Sequence, residues 1–165
     1  MIETTRLCLR PLAITDLNDL AEIYSDPEVM RYRLLPEPAS RKQTQESLES
    51  YILHWKEYGF GRWAAIYKTS RQLIGHCGLE HITSLKEIEL SYLLAREYWG
   101  QGLATEAAMA LLQYAWETLQ LKRLVAIAKP ENLASRRVME KIGMQYEKNI
   151  QFYGVEWMLY KINND

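Results

Sequence analysis

The chain has 165 residues, 48% of them apolar, the size and composition of one globular domain, which excludes a disordered chain. Its formal net charge of -1 leaves no global field for nucleic acid or an anionic membrane, so a charged ligand must be held by a local site. Cys8 and Cys77 are the only cysteines, too few and too far apart for a zinc site or a secreted disulfide framework, and they read as small core residues.

The N-terminus, Met1 to Arg6, lacks an apolar h-region, and no apolar run approaches the ~20 residues of a membrane span, so a cytoplasmic location is expected. Arg6 to Arg10 alternates polar and apolar residues and predicts a strand stopped by Pro11. Thr15 is placed to cap a helix with Leu17, Leu20, Ala21 and Tyr24 on one face, ended by Asp26-Pro27. After a loop with Pro36 and Pro38, Ser40 and Gln43 form a capping-box pattern. Leu48, Tyr51, Ile52 and Trp55 are the stripe of that second helix, and Gly59 closes it. Three strands follow, Trp63 to Tyr67, Leu73 to Leu79 and Glu87 to Leu94. A helix begins near Gly102, with Leu103, Ala107, Ala110, Leu111 and Tyr114 toward a sheet. Leu124 to Ala128 is a short strand, and Asn132 caps a helix whose inner face is Ala134, Val138 and Ile142, ended by Gly143. Val155 to Ile162 is the last strand, with a short extra one at Gln145 to Lys148. The order predicts a single α/β domain over residues 1–165 with a mixed sheet.

Between a strand and an amphipathic helix lies Tyr98-Trp99-Gly100-Gln101-Gly102-Leu103-Ala104-Thr105. Glycines admit positive φ and close approach of a ligand to the backbone. The unpaired N–H groups and partial positive charge of the helix start then make an anion seat suited to a pyrophosphate. The side chains of Gln101 and Thr105 are candidate extra donors. The turn lacks the lysine of a P-loop, and Thr105 stands where a dinucleotide fingerprint has its third glycine.

This turn resembles the acyl-CoA pyrophosphate loop of the GCN5-related N-acetyltransferase (GNAT) superfamily. Thr5-Arg6-Leu7-Cys8-Leu9-Arg10-Pro11-Leu12 is similar to the first strand of the branch containing the ribosomal-protein N-terminal acetyltransferases. Ile74-Gly75-His76-Cys77-Gly78-Leu79 and Glu89-Leu90-Ser91-Tyr92-Leu93-Leu94 resemble its third and fourth strands, with Ser91 where glycine is usual. Asn132 to Met144, with Ser135, Arg136, Glu140, Lys141 and Gly143 in place, resembles its last helix. The resemblance spans nearly the whole chain in family order. It implies a GNAT-like fold, a mostly antiparallel mixed sheet of about six or seven strands flanked by about four helices. It implies acetyl-CoA as cosubstrate and no metal, with transfer of the acetyl group to a primary amine by direct attack in a ternary complex. The pyrophosphate is expected on Gly100, Gln101, Gly102, Ala104 and Thr105. The pantetheine arm is expected beside Leu93 and Leu94, where two strands part, with Asn132 and Ser135 also touching the cosubstrate. Trp99 replaces the arginine or glutamine common at its position.

Many superfamily members place a proton-donating tyrosine seven residues after the capping asparagine, but Met139 is there and donates nothing. Ser135, near the sulfur in related ribosomal-protein enzymes, is expected to hydrogen-bond the departing thiolate. Glu89 is expected to be the base, directly or through water, with His76 and His81 as rivals on chemistry alone, and a backbone N–H near Leu93 or Leu94 polarises the carbonyl. A site without a strong base suits an α-amine, whose pKa of ~7.8 leaves roughly a tenth neutral at pH 7; a lysine amine at ~10.4 costs about 4.6 kcal/mol to deprotonate there. Tyr32, in the segment from Asp26 to Arg33, and Trp63 and Tyr153 are candidate acceptor contacts. The acceptor is a protein N-terminus or a small molecule such as a polyamine, aminoglycoside or amino acid, and a non-catalytic acyl-CoA-binding module is the alternative class. No nucleic acid or membrane partner is expected, and the chain reads as a monomer or homodimer. Arg136 and Arg137 read as helix-surface charges, one of them within range of a cosubstrate phosphate.

Overall fold

In the computed structural model, which describes residues 1–165, alternation and turn chemistry build eight strands and five α-helices. The strands are β1 (Ile2–Glu3), β2 (Leu7–Pro11), β3 (Arg62–Tyr67), β4 (Gln72–Ile82), β5 (Glu87–Leu94), β6 (Arg123–Ala128), β7 (Gln145–Phe152) and β8 (Val155–Asn163). The helices are α1 (Leu17–Tyr24), α2 (Pro27–Met30), α3 (Arg41–Tyr58), α4 (Leu103–Glu117) and α5 (Leu133–Lys141). One sheet runs β1-β2-β3-β4-β5-β6-β8-β7. Every neighbouring pair is antiparallel except β5–β6.

Both faces of the sheet are covered, which is why β4 is buried without a break from Leu73 to Leu79. Leu20, Ile23 and Tyr24 of α1 and Leu48 and Tyr51 of α3 pack on one face with Ala64 and Leu93. Leu103, Ala107, Leu111 and Ala115 of α4, Met139 of α5 and Ile142 just after it pack on the other with Trp63, Leu79, Leu90 and Leu94. The capping box of α3 forms as the sequence predicts: Ser40 Oγ accepts from Gln43 N at 3.1 Å, and Ser40 N donates to Gln43 Oε1 at 2.9 Å. Gly59 ends that helix at φ 75°.

Several expectations need correction. The sheet has eight strands, because Ile2–Glu3 adds an edge and β7 is a full strand. β7 is mostly exposed, so it carries no apolar alternation; backbone pairing to β8 builds it. Thr15 caps nothing. Ile14–Asp16 forms a 3-10 turn, and the Asp16 carboxylate accepts from Ala13 N at 2.8 Å and from both terminal nitrogens of Arg10. Asp26 ends α1 and also caps α2, accepting from Glu28 N at 2.9 Å. In α5 the inward residue is Met139 rather than Ala134, which is exposed. In α4 the buried arc is wider than the expected stripe and takes in Ala108, Leu112 and Ala115, because α5 covers its flank. Cys77 is core, and burial lifts its thiol to about 12, whereas Cys8 is only half-buried.

The sheet opens at one place. β4 and β5 stay in register through eight pairs, from Gly75↔Leu94 to Ile82↔Glu87. β5 and β6 pair only at Glu89↔Val125 and part beyond it. Gly75 lets β5 lie hard against β4 as it leaves β6, since a Cβ there would stand 2.1 Å from Leu93 O.

Candidate active site

The turn before α4 is pinned from outside and open within. Arg6 donates from Nη1 to Gln101 O at 2.8 Å and from Nε to Glu106 at 2.7 Å, and Thr4 Oγ1 donates to the same carboxylate. Gly100 and Gly102 lie at φ 71° and 77°, left-handed conformations that disfavour any side chain although space is available. The amide N–H groups of Gly100, Gln101, Gly102, Leu103, Ala104 and Thr105 find no acceptor within the protein, and the positive end of a 15-residue helix lies behind them. The Gln101 side chain is not among the donors facing this seat, because its Nε2 donates back to Glu97 O at 2.9 Å. Trp99 has a physical role at its unusual position: its Nε1 donates to Leu94 O at 2.8 Å, tying the turn to the end of β5. Arg96 pairs with Asp26 and fixes the same turn to the start of α2.

Beside the gap between β5 and β6, Asn132 accepts from Ser135 N at 3.3 Å and so caps α5. Ser135 meets a residue that the sequence did not single out. Tyr92 Oη donates to Ser135 O at 2.8 Å and lies 3.1 Å from Ser135 Oγ. With the phenol proton given to the carbonyl, the serine hydroxyl is left to donate to the phenol oxygen. Burial pushes the Tyr92 phenol well above its usual value, so it stays protonated. Met139 is core, with 2% exposure, far from any role in proton transfer. Arg136 is not a free surface charge: it donates to Pro130 O at 2.9 Å and to Tyr160 Oη at 3.2 Å.

Alternation along β5 separates the catalytic candidates. Leu90, Tyr92 and Leu94 point to the α4 and α5 side, and Glu89, Ser91 and Leu93 point to the α1 and α3 side. Glu89 is half-buried and accepts no hydrogen bond, and it opposes Glu80 across the β4–β5 ladder. Burial raises its carboxyl to about 7; Arg62 and Arg33 pull against that rise and Glu80 adds to it. Glu80 itself is neutralised, since Arg62 donates to it from Nε and Nη2. The Arg62 guanidinium also covers the Tyr51 ring at 4.2 Å. The rival histidines are otherwise engaged. His76 is fully buried, its Nε2 is 2.7 Å from Tyr24 Oη, and burial with the nearby Arg62 and Arg33 holds it well below its usual value and neutral. His81 stacks on Tyr58 at 5.1 Å.

The expected acceptor contacts divide. Trp63 is core, set edge-on between Trp55 at 4.9 Å and Tyr114 at 5.4 Å, and it faces α4 rather than a cleft. Tyr153 sits at the β7–β8 tip, 76% exposed. Tyr32 is half-buried with the Arg31 guanidinium 5.3 Å above its ring. The Glu89 side instead collects Arg33, Tyr24, Tyr51, Arg62 and Glu80. Tyr51 and Tyr24 carried a sequence signal only as members of the α3 and α1 stripes and Arg33 only as the end of the Asp26 to Arg33 segment, while Arg62 and Glu80 read singly as surface charges.

Residues 6–145 match a family model described as an acetyltransferase (GNAT) domain. An uncharacterised protein of Bacillus subtilis, YkkB, is 36% identical over 151 residues, covering 90% of this chain and 87% of that protein. Among solved structures, an acetyltransferase from Agrobacterium tumefaciens strain C58 matches with a TM-score of 0.86 and 29% identity, over 99% of this chain and 94% of that one. The ribosomal L7/L12 α-N-protein acetyltransferase RimL, solved with coenzyme A, shares the fold at a TM-score of 0.82 and 17% identity, over 97% of this chain and 95% of that one.

Proposed function

The chain belongs to the GNAT acetyltransferase family and is an acetyl-CoA-dependent N-acyltransferase, and we propose that it acetylates an amine of low pKa in a ternary complex centred on the gap between β5 and β6. The observation that carries this reading is the placement of Glu89 on one face of β5 and of Tyr92 with Ser135 on the other, at the point where the sheet opens.

The residues fit the cosubstrate on physical grounds. Six amides without acceptors and two left-handed glycines suit a pyrophosphate, and an unpaired strand edge suits an extended pantetheine arm. Gly100 to Thr105 hold the phosphates in this reading, the backbone of Leu93 and Leu94 lines the arm, and acetyl-CoA supplies a thioester carbonyl to the amine. Glu89 takes the amine proton, directly or through water, as nitrogen attacks the carbonyl carbon. The C–S bond breaks, and Ser135 turns its hydroxyl from the Tyr92 oxygen to hydrogen-bond the departing thiolate, with Tyr92 holding the serine in place through Ser135 O. A carboxylate of pKa about 7 accepts a proton from an α-ammonium at ~7.8 for about 1 kcal/mol, against about 4.6 kcal/mol for a lysine ammonium. This supports an α-amine, on a protein N-terminus or a small molecule, as the acceptor.

The test is a release assay for free CoA across peptides and small amines, run on wild type and Glu89→Gln. A wild-type kcat/KM that rises through pH 7 and a variant that lacks that limb support the reading. Tight acetyl-CoA binding without turnover of any amine points instead to a binding module.

A further inference from the structure

The α1 and α3 side of the sheet holds an excess of positive charge that the transfer chemistry does not use. Arg62 is cancelled by Glu80, and His76 is neutral. Arg33 and Lys129 remain, neither with a carboxylate within ion-pair distance. Against them stands the single carboxyl of Glu89.

Arg33 is held in place but not satisfied. Its guanidinium lies 4.6 Å over the Tyr24 ring, and its Nη2 donates to Tyr51 Oη at 3.2 Å. Its Nη1 is shut from solvent and reaches no acceptor, although the residue as a whole is half-buried. Lys129 Nζ donates to Arg33 O at 2.8 Å and stands 5.6 Å from the ring centre of Trp157, whose Nε1 is also buried without an acceptor. Lys129 follows directly on β6 and precedes the Asn132 cap, so this group of donors flanks the opening between β5 and β6. Arg33, Lys129 and Trp157 thus place three donor groups on this side of the sheet, with Tyr51 Oη the one side-chain oxygen that any of them reaches and no carboxylate. A buried donor of this kind is destabilising until an acceptor arrives, and a guanidinium suits a carboxylate best.

We infer that the acetyl acceptor carries a carboxylate on the same molecule as its amine, received by Arg33 with Lys129 while the amine faces Glu89. The inference rests on the proposed use of Glu89 as the proton acceptor. A carboxylate at Glu89 and an unspent guanidinium at Arg33 on the same side of the sheet complement a zwitterion. It opposes a polyamine or aminoglycoside, whose further cationic groups would lie against Arg33 and Lys129. The same chemistry comes from two sources, a free amino acid or a peptide whose first residues include Asp or Glu.

The experiment compares kcat/KM, each referred to the concentration of neutral amine because an amide's α-amine is less basic than the parent amino acid's, within pairs: amino acids against their amides, and peptides with Asp or Glu at the second or third position against Asn or Gln, with spermidine as the polycation. The expected result is a loss of about 10- to 100-fold when the negative charge is removed, in whichever pair is the substrate. In Arg33→Gln that ratio collapses toward one, mainly through KM, and Arg33→Lys restores part of it. Thermal melts verify that both variants are folded. Equal turnover of charged and neutral pairs, preference for spermidine, or an unchanged ratio in Arg33→Gln overturns the inference and leaves the acetyltransferase reading standing. Absence of turnover with every amine, alongside acetyl-CoA binding, overturns both.

Discussion

The two sides of the opening in the sheet are built from different materials. On the α4 and α5 side, the candidate donor seat consists of backbone: six free amides, two left-handed glycines and a helix start. On the α1 and α3 side, the candidate acceptor cleft consists of side chains from α1, the segment after α2, α3, β3, β4 and β5. A backbone site tolerates change in most of its side chains and recognises a constant ligand. A side-chain site is retuned by single substitutions, which suits the choice of acceptor.

The sharpest way to break this comparison is Glu89→Gln, the change expected to remove the most chemistry while leaving binding in place. It should lower kcat/KM by about 10²- to 10⁴-fold, the range of general-base catalysis, in steady-state assays at pH 8. The wild-type profile should have an ascending limb with a midpoint near 7 that the variant lacks, while the acceptor's own ionisation near ~7.8 should appear in both.

On the other side, Gly102→Ala tests the backbone seat. A Cβ at φ 77° is expected to cost about 1–2 kcal/mol locally, and calorimetry should show acetyl-CoA bound about 10-fold more weakly. If Gly102→Ala altered acceptor KM as strongly as acetyl-CoA affinity, the division of labour between the two sides would be lost.

Ser135→Ala and Tyr92→Phe should each reduce kcat by only about 3- to 10-fold, because a thiol of pKa near ~8.5 leaves tolerably without help. The double variant should lose little more than either single one, since the two hydroxyls share one hydrogen-bonded route. Full additivity would separate them.

A further effect is on stability rather than on catalysis or binding, and it has a definite sign. The folded-state carboxyl of Glu89 at about 7 lies above its ordinary value of 4.5. Wild type therefore loses stability as pH rises from about 4.5 to about 7, and a neutral glutamine does not. Glu89→Gln should gain about 2 kcal/mol over wild type on going from pH 4 to pH 8, less than the ~3.4 kcal/mol of the full shift because the carboxyl is partly open to solvent. Urea melts at the two pH values measure it.

The part of the site legible in sequence was the part whose cause is local. Gly100, Gly102 and the amphipathic run after them announce an anion seat, because turn dihedrals and helix starts depend on neighbours in the chain. Glu89 stood out through its place in a recognisable strand, although its burial and its lack of a hydrogen bond did not. Trp63 misled, since an aromatic on a strand has the same composition signal whichever face it takes, and β3 turns this one into the core. Tyr92 was invisible as a partner because it lies 43 residues from Ser135.

By itself, the sequence determined most of the strand and helix order, the caps at Ser40, Asn132 and Gly59, the glycine turn and the family to which the chain belongs. The elements, caps and turn follow from periodicity and from dihedral preferences over a few residues, and the family follows from the resemblance of motifs that recur in family order along the chain. Tertiary structure alone decided that β7 is a full strand, that the parting of β5 from β6 implied by the resemblance begins after the single pair Glu89↔Val125, and that Tyr92 and Glu89 face opposite sides. It alone left Arg33 without a counter-ion beside Lys129. Register, face and charge pairing are set by contacts between residues far apart in the chain, and no local pattern encodes them.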